Sequence, residues 1–150
     1  PREADGLFGH GMLIQVASET TVRRGLVSGN HTGGVVVVDS TATVEELVVR
    51  DTQEADGRFG DGIVVVADEG TAEAILSGLL VENNARAGVY FDDAGVSLAG
   101  SVVRGNVFSV HLEGDADLEI ADDNVIVDNE DNEVSRGGLE PSPVAEPLPF

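Results

Sequence analysis

Carboxylates are the residues of this chain best placed to do chemistry. Glu54, Asp56 and Asp61 fall within one Gly-rich stretch, Glu54-Ala55-Asp56-Gly57-Arg58-Phe59-Gly60-Asp61-Gly62. Asp-Gly turns offer carboxylate and carbonyl oxygens, and calcium takes roughly six to eight such ligands. These three acids are therefore the candidate Ca²⁺ ligands. The competing reading needs no ion, because Asp-Gly is an ordinary turn, and no EF-hand loop or Gly-Gly-x-Gly-x-Asp nonapeptide accompanies it. Asp92-Asp93 and Asp122-Asp123 are acid pairs of the type used for general acid–base work. Arg50 and Arg104 hold equivalent repeat positions, where they would stack on one face or balance nearby acids. His10 lies between Gly9 and Gly11, while His31 and His111 show no metal-ligand spacing with it. With no Cys, thiolate zinc sites and disulfides are excluded. No Walker loop, nucleotide fingerprint or Gly-x-Ser-x-Gly turn occurs.

The charge balance narrows the partners. Among 150 residues, 28 are acidic and 8 basic, all of them Arg, for a formal charge of -20. Such a surface repels phosphates, which disfavours nucleic acid and anionic membranes. No apolar run approaches the ~20 residues of a membrane helix, so no membrane insertion is expected in this segment. Pro1 falls inside a repeat unit, which suggests a piece of a longer solenoid. Any targeting signal would then lie upstream.

The elements that must position these groups are set by repetition. Glu3-Ala4-Asp5-Gly6-Leu7-Phe8-Gly9-His10-Gly11 returns as the Glu54–Gly62 stretch, with Asp61 in place of His10. A finer frame ends at Asn30, Thr52, Asn84, Asn106 and Asn129. Periods of this size mean stacked supersecondary units. Between Gly, Asn and Asp clusters lie short Val-rich runs, whose β-branched side chains suit a pleated sheet. The expected strands are about 3–6 residues long, two or three per coil. One coil cannot bury its own apolar face, but a parallel stack can. In that stack the corner amides would bond to one another and to the turn backbone. Gly11, Gly34, Gly62 and Gly88 would open four coils, with Val110 at the fifth. The Glu-Ala-Asp-Gly-x-Phe-Gly loop would account for the longer Thr52–Asn84 interval, with Phe8 and Phe59 folding over the coil edge. The solenoid is placed at residues 1–132, and the Pro-rich remainder, 133–150, reads as a linker or disordered tail.

Gly34-Val35-Val36-Val37, Val96-Ser97-Leu98 and Val103-Arg104-Gly105-Asn106 resemble right-handed parallel β-helix repeat proteins of the pectin-lyase-like superfamily. The Lys-free basic set is compatible with a GC-rich bacterial source. The resemblance implies an all-β, right-handed parallel β-helix of about five coils, each of ~22–32 residues. It also implies an extracellular or cell-surface setting, with carbohydrate or another surface protein as partner. Gly9-His10-Gly11 is similar to an element of polygalacturonases, but the internal copy replaces His10 by Asp61 and no Lys is present. The reading that follows is a non-catalytic scaffold or binding segment, with no catalytic residue assigned. The alternative is a polysaccharide lyase or glycoside hydrolase whose catalytic coils lie partly outside this segment.

Overall fold

A computed structural model describes residues 9–55 and 57–139. Fourteen strands and no helix make up these residues, all paired in parallel between successive coils. One sheet, here sheet A, runs in the order β1 (Met12–Ile14), β3 (Gly33–Val38), β5 (Asp61–Val66), β8 (Ala87–Asp92), β11 (Phe108–Glu113), β14 (Asp131–Arg136). The other, sheet B, holds β2 (Glu19–Ser28), β4 (Thr41–Arg50), β6 (Glu73–Ser77), β7 (Leu80–Glu82), β9 (Gly95–Ala99), β10 (Val102–Arg104), β12 (Asp117–Ile120) and β13 (Val125–Val127). The chain is a parallel β-solenoid of about five coils, as the repeat implies.

Each coil is three-sided, because sheet B is bent. At the bend Arg24, Glu46, Gly78 and Gly100 take positive φ, near 54, 54, 62 and 55°. β2 and β4 carry the bend inside unbroken ladders of 10 residues, longer than the strands expected from sequence. In the next two coils Gly78 and Gly100 interrupt the ladder, so each side is a separate short strand. The core between the sheets is filled by inward residues such as Val35, Ile63, Val89 and Val110 from sheet A. Val44, Leu76, Leu98 and Val103 meet them from sheet B.

Register corrects three details. Val35 pairs with Ile63, which pairs with Val89, which pairs with Val110, so Gly34, Gly62 and Gly88 are followed in their column by Ser109. Val110 is thus the core residue one place on, and a small Ser replaces Gly. The close approach explains the small residue: a Cβ on Gly62 would lie 2.7 Å from both Asn84 Nδ2 and the Gly88 carbonyl. Second, the long interval arises at two corners. Val35 follows Asn30 by five positions, whereas its partner Ile63 follows Thr52 by eleven. The loop from Ala67 to Ala72 adds the remainder, where Asp39 accepts hydrogen bonds from the Asp68, Glu69 and Gly70 amides. Third, β14 continues past position 132 to Arg136. Its one apolar residue, Val134, pairs with core Val110 but is 46% exposed at the open end of the stack. A single inward side chain is all that this last strand needs, so the acidic sequence hides it.

Candidate functional site

The three candidate calcium ligands take different courses. Asp61 opens β5 and is 0% exposed. Arg86 closes on it as a two-pronged fork, with Nε 2.9 Å from Oδ1 and a terminal nitrogen 2.6 Å from Oδ2. The Ala87 amide donates to the same Oδ1 at 3.1 Å. This carboxylate is thereby committed to protein donors. Glu54 is exposed and lines an open groove of about 440 Å³ with Asp51, Thr52, Gln53, Asn83 and Ala85. Asp56 lies outside the described residues, as do Glu3, Asp5 and Phe8. Among the described residues no three acids, histidines or cysteines gather in a metal-binding cluster.

The corner amides behave as the spacing implies. Asn106 Nδ2 donates to Asn129 Oδ1 at 2.9 Å, and Asn84 Nδ2 to Asn106 Oδ1 at 3.0 Å. Each accepting oxygen also takes the backbone N–H of the coil before, including that of Thr52 at 3.2 Å. At the last coil Asn132 folds back and accepts from both Asn129 N and Nδ2 at 2.9 Å. It satisfies donors that a further coil's Asn would otherwise take.

Arg50 and Arg104 share a face but do not stack on each other. Register places Glu82 between them. The buried Glu82 carboxylate lies 2.8 Å from Arg104 and 3.9 Å from Arg50. A positive pair is replaced by a plus–minus–plus row. Phe59 is buried, with the guanidinium carbons of Arg58 and Arg86 5.3 and 5.4 Å from its ring centroid.

The outward face of sheet A holds a group that sequence reasoning missed. His111 of β11 pairs in register with Ser135 of β14, and Glu113 lies two residues along the same strand and so on the same face. His111 Nδ1 is 2.7 Å from Ser135 Oγ, and Nε2 is 2.8 Å from Glu113 Oε1. Tyr90, the register partner of His111 on β8, stacks on its ring at 5.8 Å between centroids, and Phe108 tilts against it at 5.5 Å. Burial works against the Glu113 carboxylate, but the His111 hydrogen bond and the Leu139 amide outweigh it and hold its pKa below the usual value. Neighbouring Asp92 is pushed upward, chiefly by burial and then by the charges of Asp93 and Glu113. Burial also pushes the Tyr90 phenol well above its ordinary value. His111 and Ser135 are 24 positions apart, so only the coil period could have linked them, and the acidic tail obscured the last coil.

No protein family, curated protein or solved structure matches this chain. No helix among the described residues is long and apolar enough to cross a membrane.

Proposed function

We propose that the chain is a scaffold or binding segment of a bacterial extracellular or surface protein, similar to pectin-lyase-like β-helices but not processing polysaccharide. One observation carries this reading. The recurrent corner amides are spent on holding coil to coil, in the row from Asn84 through Asn106 and Asn129 to Asn132, with Asn84 also accepting from the Thr52 backbone N–H. Incubation with a polysaccharide panel is expected to release neither unsaturated nor reducing sugars, and clear turnover would sink the reading. Calcium remains a proposal for the corner of Glu54, Asp56 and Asp61, with the exposed Glu54 on an open groove as its support, and carbohydrate or a surface protein remains the proposed partner. A melting midpoint unchanged by millimolar calcium would remove the metal.

A polysaccharide lyase or hydrolase is supported by one feature. Asp92 and Glu113 are register partners whose pKa values are driven apart, the pattern of an acid beside a base. Sugar release lost in both Asp92→Asn and Glu113→Gln would establish this alternative.

A further inference from the structure

We propose that Ser135, His111 and Glu113 form a nucleophilic relay that hydrolyses neutral carboxylic esters with an apolar acyl group. The inference goes beyond the scaffold reading and does not depend on it. A nucleophile, a base in contact with it and a group orienting the base are the parts such chemistry requires. Here they lie in line across one histidine ring, at 2.7 and 2.8 Å.

The proton positions follow from the partners. An ionised carboxylate only accepts, so His111 Nε2 carries the hydrogen donated to Glu113. Nδ1 is then the bare nitrogen, and the Ser135 hydroxyl donates to it. Either ring nitrogen can act as base once the other is fixed in this way. The alternative acceptor for the hydroxyl, the Val110 carbonyl, is at 3.4 Å and much weaker. Tyr90 and Phe108 pin the ring, so the base does not have to be ordered when substrate arrives. His111 is buried while Ser135 is partly exposed, so a carbonyl carbon can reach Oγ with the base shielded from water.

Charge stabilisation has donors at hand. Among the described residues β14 ends sheet A, and the Gly137 amide just after it donates to the Leu112 carbonyl on β11 at 2.9 Å. Alternation along a parallel ladder turns the Arg136 N–H to the opposite edge beside Ser135, which no described strand covers and where it can meet a developing oxyanion. The surroundings select the substrate class. Phe108 and Leu139 pack on the same outward apolar cluster, and Asp131 and Glu133 repel anions.

The reaction closes on itself with water as the only co-reactant. Ser135 Oγ attacks the acyl carbon as its proton passes to His111 Nδ1. The new Oγ–C bond forms, the ester C–O bond breaks, and Nδ1 returns the proton to the departing alcohol. Water then attacks the acyl-serine, its proton taking the same route, and the carboxylic acid leaves with Ser135 restored.

The test uses a fluorophosphonate probe and p-nitrophenyl butyrate on the full chain. The expected result is a single adduct mapped by mass spectrometry to Ser135, with turnover abolished in Ser135→Ala. In His111→Gln and Glu113→Gln, labelling rates should fall about 100-fold or more while circular dichroism stays that of a β-solenoid. Ser135→Ala removes one oxygen and should keep the fold, so loss of turnover there reports chemistry. An absent Ser135 adduct, or ester hydrolysis surviving Ser135→Ala, overturns the proposal and leaves the three residues a packing contact only.

Discussion

Val36 and Val64 point outward from sheet A yet are 1% and 0% exposed, whereas Ile75, outward on sheet B, is 54% exposed. Both sheets are made by the same coils, and both alternate inward and outward side chains. Sheet B shows the alternation as burial: β4 runs exposed, buried, intermediate, buried along its first half. In sheet A, β3 and β5 are buried at every position. Outward Val36, Val38, Val64, Val66 and Tyr90 form a second apolar cluster, joined by Leu13, Phe108 and Leu139. The difference matters because polar groups on that face are held in a low-dielectric setting. An ion pair or hydrogen-bonded histidine there is worth more when satisfied, and costs more when broken, than the same group on sheet B.

The sharpest way to break this contrast is to cut one ion pair on each sheet. Asp61→Ala removes the fully buried carboxylate that Arg86, whose side chain is only 13% exposed, grips with two nitrogens, and should cost about 3–5 kcal/mol. Arg23→Ala cuts the pair with Glu45 on sheet B, where the Arg23 side chain is 59% exposed, and should cost about 0–1 kcal/mol. Urea denaturation of both variants checks this, and equal losses would mean the two faces are electrostatically alike. Apolar truncation makes the same comparison at smaller scale. Val64→Ala should cost about 2 kcal/mol through lost burial and a cavity, and Ile75→Ala no more than about 0.5 kcal/mol. A Val64→Ala loss as small as that of Ile75→Ala would show that the outward cluster contributes little to stability.

The same contrast explains what could be read from sequence. The coil stack was readable because Val runs, coil-opening glycines and corner Asn recur at a fixed interval, and each answers to a local steric or hydrogen-bonding need. Asn84 and Asn106 do what their spacing implies. The two-sided burial of sheet A was readable in part, because the unbroken run Val35-Val36-Val37-Val38 lacks the apolar–polar alternation of a strand covered on one face. Only the coil-to-coil register shows which residues share a face. Ser135 and His111 stayed hidden for that reason, since their relation is lateral and the acidic last coil lacks the Val pattern that marks the others. Arg50 and Arg104 were correctly placed on one face, and Glu82, two residues before Asn84 as they are two before Thr52 and Asn106, was readable between them in the same frame.

A finer probe concerns polar atoms on the buried face that lack partners. The Tyr90 hydroxyl is buried without a hydrogen bond among the described residues. Removing an unsatisfied buried hydroxyl returns its desolvation cost, so Tyr90→Phe should stabilise the fold by about 1 kcal/mol and raise the melting midpoint. An unchanged or lower midpoint would mean that the phenol is solvated and the face less dry than that of a packed core.

The smallest effect tests whether this face also penalises charge. Asp92 has its folded pKa raised, first by burial and then by Asp93 and Glu113. The native state therefore holds its proton to higher pH than the unfolded chain, and stability is lost as pH rises through the interval between the two pKa values. Above the folded pKa both states are ionised and the penalty is fully present. Water and salt screen this strand-end carboxylate, which limits the penalty to a few tenths of a kcal/mol. Asp92→Asn should raise the midpoint slightly once pH is above the folded pKa, and the gain should fade as pH drops through the unfolded value of about 4 and vanish below it. Glu113, held below its usual pKa, has the opposite sign. Its contribution is present above the unfolded pKa and is lost as pH falls through the folded one. Melts of Asp92→Asn and Glu113→Gln from pH 3 to 8 should thus diverge in opposite directions as pH rises. Parallel curves would mean that neither carboxylate senses the apolar cluster, and that the pairing of Glu113 with His111 gains nothing from its place on sheet A.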